Sequence, residues 1–322
     1  MLPGDREKRG PAMQVFRTPE DRFVGLPEFP FSAHYRDVDV EGTSLRMHYI
    51  DEGSATRGTI LMVHGMPTSS YLYRCMIPPL VAAGFRCVAP DHIGFGKSDK
   101  VLEDSWYTIE RHSVALGELL RGIDLQRVTL VCQDWGGPIG LRQVVDMPER
   151  FERLAILNTW LHHAGYEYTP AIRRWQSLWQ PGGPMEQLNG CGLVMQNFVQ
   201  SFPRGEAQPL AAEQTFAAYE APFPDRAAKA GPRRFPLSIP IDGQNPDVAR
   251  EGQRCWDALL RWKKPVHFVW GAADQVFTEA WGREWASKLP QATFDVVNAG
   301  HFLQETHGAE VAALVLDRIN AE

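Results

Sequence analysis

With 322 residues, 44% of them hydrophobic and 22% charged, the chain is long enough for one large globular domain or a core carrying a substantial insertion. Its formal net charge of −6 offers no basic footprint for nucleic acid and no polybasic membrane patch, which leaves small neutral or apolar molecules as partners. The five cysteines (Cys75, Cys87, Cys132, Cys191 and Cys255) are odd in number and lack paired or metal-ligand spacing, so they read as free thiols in a reducing compartment, by default the cytoplasm.

Residues 1–12 are charged, lack the apolar segment of a signal peptide, and read as a disordered extension or an upstream start choice. No run reaches the roughly 18 apolar residues of a membrane span. HYRDVDV and SLRMHYIDEG then read as an antiparallel strand pair. Buried strands follow at TILMVHG, RCVAPD, VTLVCQD, RLAILN, PVHFVWG and ATFDVVNAG. Helices fit between several of them, at SYLYRCMIPPLVAAG and at TIERHSVALGELLRGI. This alternation predicts an α/β architecture, a mostly parallel central sheet with helices on both faces.

The alternation stops between RLAILN and PVHFVWG, where about a hundred residues carry helical patterns, aromatics and prolines without a strand. Such an insertion most simply forms a helical cap over the C-terminal edge of the sheet, where open α/β sheets bind ligands. The expected division is a core of residues 13–159 and 236–322 with a cap at 160–235.

Asp134 ends the VTLVC strand, with Cys132 two residues before it and Gly136 two after. That is the pattern of a nucleophile elbow, in which a sharp turn lifts one side chain above the sheet and small neighbours let strand and helix approach. An exposed carboxylate at a strand end is the plainer alternative. Two further residues favour the elbow: Asp274 follows the penultimate strand in GAADQVF, and His301 follows the last in NAGHFLQE. The order nucleophile, acid, histidine is that of the α/β-hydrolase fold, and all three stand at one rim of the sheet. The backbone N–H groups of Met66, in HGMP, and of Trp135 are the expected oxyanion hole, whereas His64 reads as structural.

Taken together, VHGMPTSSYLYR, APDHIGFGKSDK, VCQDWGGPIGLR, the acid in GAADQVF, AGHFLQE and YEAPFPD resemble the haloalkane dehalogenases, from about residue 13 to the end of the chain. The resemblance implies hydrolysis of a carbon–halogen bond to an alcohol, halide and a proton, with no cofactor and no metal. An ionised carboxylate suits that task, because it displaces a leaving group from a saturated carbon without first losing a proton. Asp134 would form an alkyl ester, which water activated by His301 would hydrolyse while Asp274 orients the imidazole.

The leaving halide needs donors in a dry pocket, and the indole N–H of Trp135 donates without adding charge. In one branch of the family the second donor is an Asn directly after the HG pair, the position of Met66 here. Asn158, where that branch carries its acid, is not acidic. The chain therefore resembles the branch with a cap tryptophan, although that branch commonly has Glu at the position of Met66. Of Trp175 and Trp179 in AIRRWQSLWQ, and Trp160 at the hinge, the resemblance favours Trp175, with Trp179 its rival. Leu193, Phe198, Phe202, Phe216 and Phe223 either line an apolar pocket or pack the cap on the core.

Two alternatives share the scaffold. An epoxide hydrolase would use the same Asp–His–Asp set with cap tyrosines as acids, and Tyr166, Tyr168 and Tyr219 are available. Trp135 argues against it, since epoxide opening releases no halide. A non-catalytic receptor or a cofactor-free oxygenase is the other, because fold does not fix function. A carboxylate-bearing halogenated substrate is disfavoured, as Arg142 alone follows the elbow.

Overall fold

The computed structural model describes residues 13–163, 166–201 and 211–322; the extension at 1–12 and Phe202 lie outside the described residues. The chain forms an eight-stranded sheet: β1 His34–Val40, β2 Thr43–Glu52, β3 Thr59–Val63, β4 Arg86–Pro90, β5 Val128–Gln133, β6 Phe151–Leu157, β7 Val266–Gly271 and β8 Ala292–Val297. The spatial order is β8-β7-β6-β5-β3-β4-β2-β1, with β2 antiparallel to both its neighbours and every other pairing parallel.

The central strands are buried throughout, and mostly apolar, because both of their faces are covered. In β3 and β5, Leu61, Val63, Leu130 and Cys132 face one hydrophobic layer. Ile60, Met62 and Val131 face the other, as the period of two requires. The first layer is closed by α2 (Ile109–Gly122), α3 (Gly136–Asp146), α8 (Pro246–Leu259) and α9 (Glu279–Ser287); α1 (Ile77–Ala82) and α10 (Leu303–Asn320) close the second. Helix α2 starts where TIERH predicts, with the Thr108 hydroxyl accepting from the Arg111 N–H at 3.1 Å.

SYLYRCMIPPLVAAG does not form the single helix expected. It splits into a 3₁₀ turn at Ser70–Tyr73 and the short α1. Pro78 and Pro79 have no N–H to donate, so they fit only in the first turn of a helix, and α1 can begin no earlier than Ile77.

Between β6 and β7 lie α4 (Pro170–Leu178), α5 (Gly192–Gln200), α6 (Ala212–Glu220) and α7 (Ala230–Leu237), with no strand among the described residues. A buried latch ties α6 to the core: the Tyr219 hydroxyl donates to Glu305 at 2.7 Å, and Glu305 holds the Arg74 guanidinium through two bonds of 2.7 Å. No described helix is long and apolar enough to cross a membrane.

Candidate active site

The C-terminal ends of β3, β5, β6, β7 and β8 converge at one rim. Asp134 follows β5 with φ +51°, a left-handed conformation in which a non-glycine residue is strained. The turn is held from all sides: the Asp134 N–H donates to the Asn158 carbonyl at 3.0 Å, and its carbonyl accepts from the Gly137 N–H at 2.9 Å and the Thr159 hydroxyl at 2.5 Å. A Cβ on Gly136 would run into the β3 backbone at Val63, and one on Gly65 into the Asp134 carboxylate. These two glycines are what allow the elbow to sit against the sheet.

One carboxylate oxygen of Asp134, Oδ1, accepts the Met66 backbone N–H at 2.7 Å. The other, Oδ2, faces His301 Nε2 at 3.5 Å. On its far side His301 pairs through Nδ1 with Asp274 Oδ2 at 2.8 Å, and the Asp274 side chain is fully buried. Asp274 Oδ1 accepts the N–H groups of Val276 and Phe277 at 2.7 and 3.2 Å, so the carboxylate has little freedom to rotate. Burial alone would depress the His301 pKa, but Asp274 and then Asp134 favour the charged ring and raise it to about 10.

Sequence reasoning missed three neighbours. Asn158, noted only as non-acidic, donates from Nδ2 to Asp274 Oδ2 at 2.7 Å while its Oδ1 accepts the Gly271 N–H at 2.8 Å. Gln133 donates from Nε2 to the His301 carbonyl at 3.1 Å and lies 3.0 Å from the ring Nε2, a contact that favours an unprotonated nitrogen there. His162 stacks on Trp135 with ring centres 4.7 Å apart. Burial holds its pKa down at about 4, so it is neutral across the physiological range. Strand-end placement was the only signal for Asn158 and Gln133, and His162 had none.

Met66, Asp134, Trp135, His162, Ile172, Trp175, Phe198, Ile239, Val276, Phe277, His301 and Phe302 enclose a small cavity. Trp135 and Trp175 thus meet at one space. Trp179 does not: it is fully buried, with its indole N–H unpartnered and Lys229 over its ring. Trp160 packs among Tyr166, Trp256, Trp281 and Trp285. Phe198 is in the wall, whereas Phe223 is buried elsewhere and Leu193 and Phe216 are exposed. None of the three tyrosines lines the cavity; Tyr219 belongs to the latch with Glu305, Tyr166 packs edge-on to Trp281, and the Tyr168 hydroxyl meets His162. Arg142 is turned to the surface, paired with Glu110 and Asp146. His64 is buried, accepting the His92 N–H at 3.0 Å.

The alpha/beta hydrolase fold family matches residues 58–308, which sets the class. Among curated relatives, the haloalkane dehalogenase of Psychrobacter cryohalolentis is 38% identical over 313 residues, covering 96% of this chain and 99% of the relative. That of Mycobacterium marinum is 40% identical over 310 residues, covering 94% and 99%. Among solved structures, the tetrameric haloalkane dehalogenase of Paraglaciecola agarilytica superposes with a TM-score of 0.84 at 38% identity, covering 95% of this chain and 98% of that one. The enzyme of Bradyrhizobium elkani gives 0.74 at 27%, covering 91% and 100%. The chain belongs to the haloalkane dehalogenase family.

Proposed function

We propose that the protein hydrolyses small haloalkanes in two steps on Asp134, with His301 as base and Asp274 as its acid partner. In the first step Asp134 Oδ2 bonds to the halogen-bearing carbon, and the carbon–halogen electron pair leaves as halide. In the second, water attacks the ester carbonyl and gives a proton to His301. The oxyanion forms on Oδ1, where the N–H of Met66 is already directed and that of Trp135 completes the hole. Collapse returns the proton to the departing alcohol and regenerates the carboxylate with net release of one proton.

The observation that carries this reading is the division of labour on one carboxylate: one oxygen is bound by a backbone N–H and the other is open to an apolar cavity and to His301. Trp135 and Trp175, sharing that cavity, are the proposed halide donors. The helical segment 160–235 acts as the cap over a core of 13–159 and 236–322. Five free thiols, four of them buried, support a reducing cytoplasmic setting.

The test is incubation with 1,2-dibromoethane, 1-bromobutane and styrene oxide while bromide, acid and diol are measured. Bromide with an equivalent of acid is expected; diol without bromide would establish the epoxide reading, and neither product the receptor reading. The epoxide reading lacks its acid, since the candidate tyrosines stand outside the cavity wall.

Two variants probe the parts. Trp175→Phe is expected to weaken bromide binding about tenfold, the value of one hydrogen bond to an ion, in a titration of intrinsic fluorescence. Unchanged affinity would remove Trp175 from the halide site. Asn158→Ala deprives Asp274 of a hydrogen bond to its charge and is expected to lower kcat about tenfold while KM stays within about twofold. A change in KM alone would assign Asn158 to substrate binding instead.

A further inference from the structure

The segment after α4, QPGGPMEQLNG at 180–190, forms neither helix nor strand. Its prolines and glycines favour turns, so it must be anchored from outside. One anchor is Lys229, immediately before α7. Its side chain is fully buried, and its Nζ donates to the carbonyls of Met185, at 3.0 Å, and Leu188. Nζ also lies 5.5 Å from the centre of the Trp179 ring. Two carbonyls and one aromatic face match the three protons of an ammonium.

Among the described residues no carboxylate comes within ion-pair distance of this ammonium. Glu186 is taken by Arg226 and Asp104 by Arg233, while Glu220, which favours the charge, accepts the Gly192 N–H at 2.9 Å. Burial lowers the Lys229 pKa to about 8, so the group is charged at neutral pH. A buried cation without a counter-ion is costly, and here backbone dipoles and a ring offset the cost.

The anchored segment runs back to the halide site. The Met185 N–H donates to the Leu178 carbonyl at 3.1 Å, so the residue whose carbonyl Lys229 holds also closes the end of α4. The Trp179 N–H has no partner among the described residues, which leaves packing to set this ring. Lys229 covers its face, and Trp175 meets it at 67° with ring centres 5.6 Å apart. Trp175 stands at 89° to Phe198, again at 5.6 Å, and both line the catalytic cavity. A group that binds an ion must keep its direction within roughly 10–20°, and at Trp175 ring packing backed by one cation does so.

We propose that Lys229 is a positioning residue for the halide site: its ammonium pins the 180–190 segment and the Trp179 ring, and these hold the Trp175 indole over the cavity. Lys229 touches neither substrate nor halide. The proposal rests on the dehalogenase reading above and on Trp175 as the second halide donor. Loss of the ammonium loosens the grip on the departing halide, while Asp134, His301 and Asp274, set by the strand ends, keep their geometry.

A double-mutant cycle tests it, read as bromide affinity from the intrinsic fluorescence of the full-length chain. Lys229→Met keeps an unbranched side chain of similar length and removes the charge. It is expected to raise the bromide Kd about fivefold when Trp175 is present, and by less than about twofold in the Trp175→Phe background, where nothing is left to position. Equal weakening in both backgrounds, or unchanged affinity with Trp175 present, would overturn the proposal. Should Lys229→Met not fold, Trp179→Phe, which shrinks the ring under the ammonium, carries the same cycle with the same outcomes. Unchanged affinity in Trp175→Phe alone would instead remove the donor on which the proposal rests, and a wild-type chain that binds no bromide would count against the dehalogenase reading, so these controls tell the failures apart.

Discussion

His301→Phe releases one equivalent of bromide per active site from 1-bromobutane and then stops: this is the expected result if the two steps divide as proposed. Displacement of halide needs an ionised carboxylate and no base, so the variant should complete it. Hydrolysis of the ester needs a proton taken from water, and phenylalanine occupies the imidazole's space without a nitrogen to take it. Steady turnover should fall by at least about 10⁴-fold while the burst remains, in line with the loss of a triad member elsewhere. Intact-protein mass spectrometry should find one butyl group added, and peptide mapping should locate it on Asp134. A variant that loses the burst and the steady rate together would mean that His301 is needed before the ester forms.

Asp134→Ala should eliminate bromide release altogether, burst included, again by at least about 10⁴-fold, because among the described residues no other carboxylate faces the cavity to take over attack. The same change bears on the histidine. In the resting site the carboxylates of Asp274 and Asp134 hold the His301 pKa at about 10, above the ordinary 6.5. Removing Asp134's charge leaves the opposing effect of burial in place, so the pKa should move down, readable from the pH dependence of the imidazole ring protons by NMR. Esterification of Asp134 during turnover removes the same charge. The His301 pKa therefore moves down at the stage that calls for a base, with Asp274 still favouring the charged ring, and the Gln133 N–H beside Nε2 supports the unprotonated ring.

The consequence for pH dependence follows from the sign. If hydrolysis awaited deprotonation at the resting value, kcat would climb through the alkaline range toward about 10. With the charge neutralised in the ester, kcat should instead reach its plateau below the resting value of about 10. Stability behaves in the opposite sense: a pKa raised from 6.5 to about 10 stabilises the folded resting state fully below 6.5, and that contribution is lost as pH rises through about 10.

Much of the sheet was legible because both faces of β3, β5 and β7 are buried, and a continuous apolar run bounded by turn residues has few other readings. Asp134, Asp274 and His301 were legible for a related reason: each is a polar residue just past such a run, where the chain leaves the sheet on the same side. The split of SYLYRCMIPPLVAAG was present in its two prolines and was overridden by apolar spacing. Trp175 and Trp179, four residues apart, could not be separated by periodicity; what separates them is that one lies over the cavity while the other, at the end of α4, is sealed under Lys229. Asn158, Gln133 and His162 gain their meaning from residues more than a hundred positions away or from a ring stacked across a loop, and no local pattern encodes such neighbours.

Asn158 also bears on how such sites diverge. Its Nδ2 and the His301 Nδ1 reach the same oxygen of Asp274, at 2.7 and 2.8 Å. An aspartate at 158 would be the same shape as the asparagine, one hydrogen bond away from the acid now in use. The negative charge that serves the histidine is thus a tenant of a small cluster of strand ends and not of one position in the chain. Moving it between the adjacent strands β6 and β7 takes two single substitutions, Asn158→Asp and Asp274→Asn.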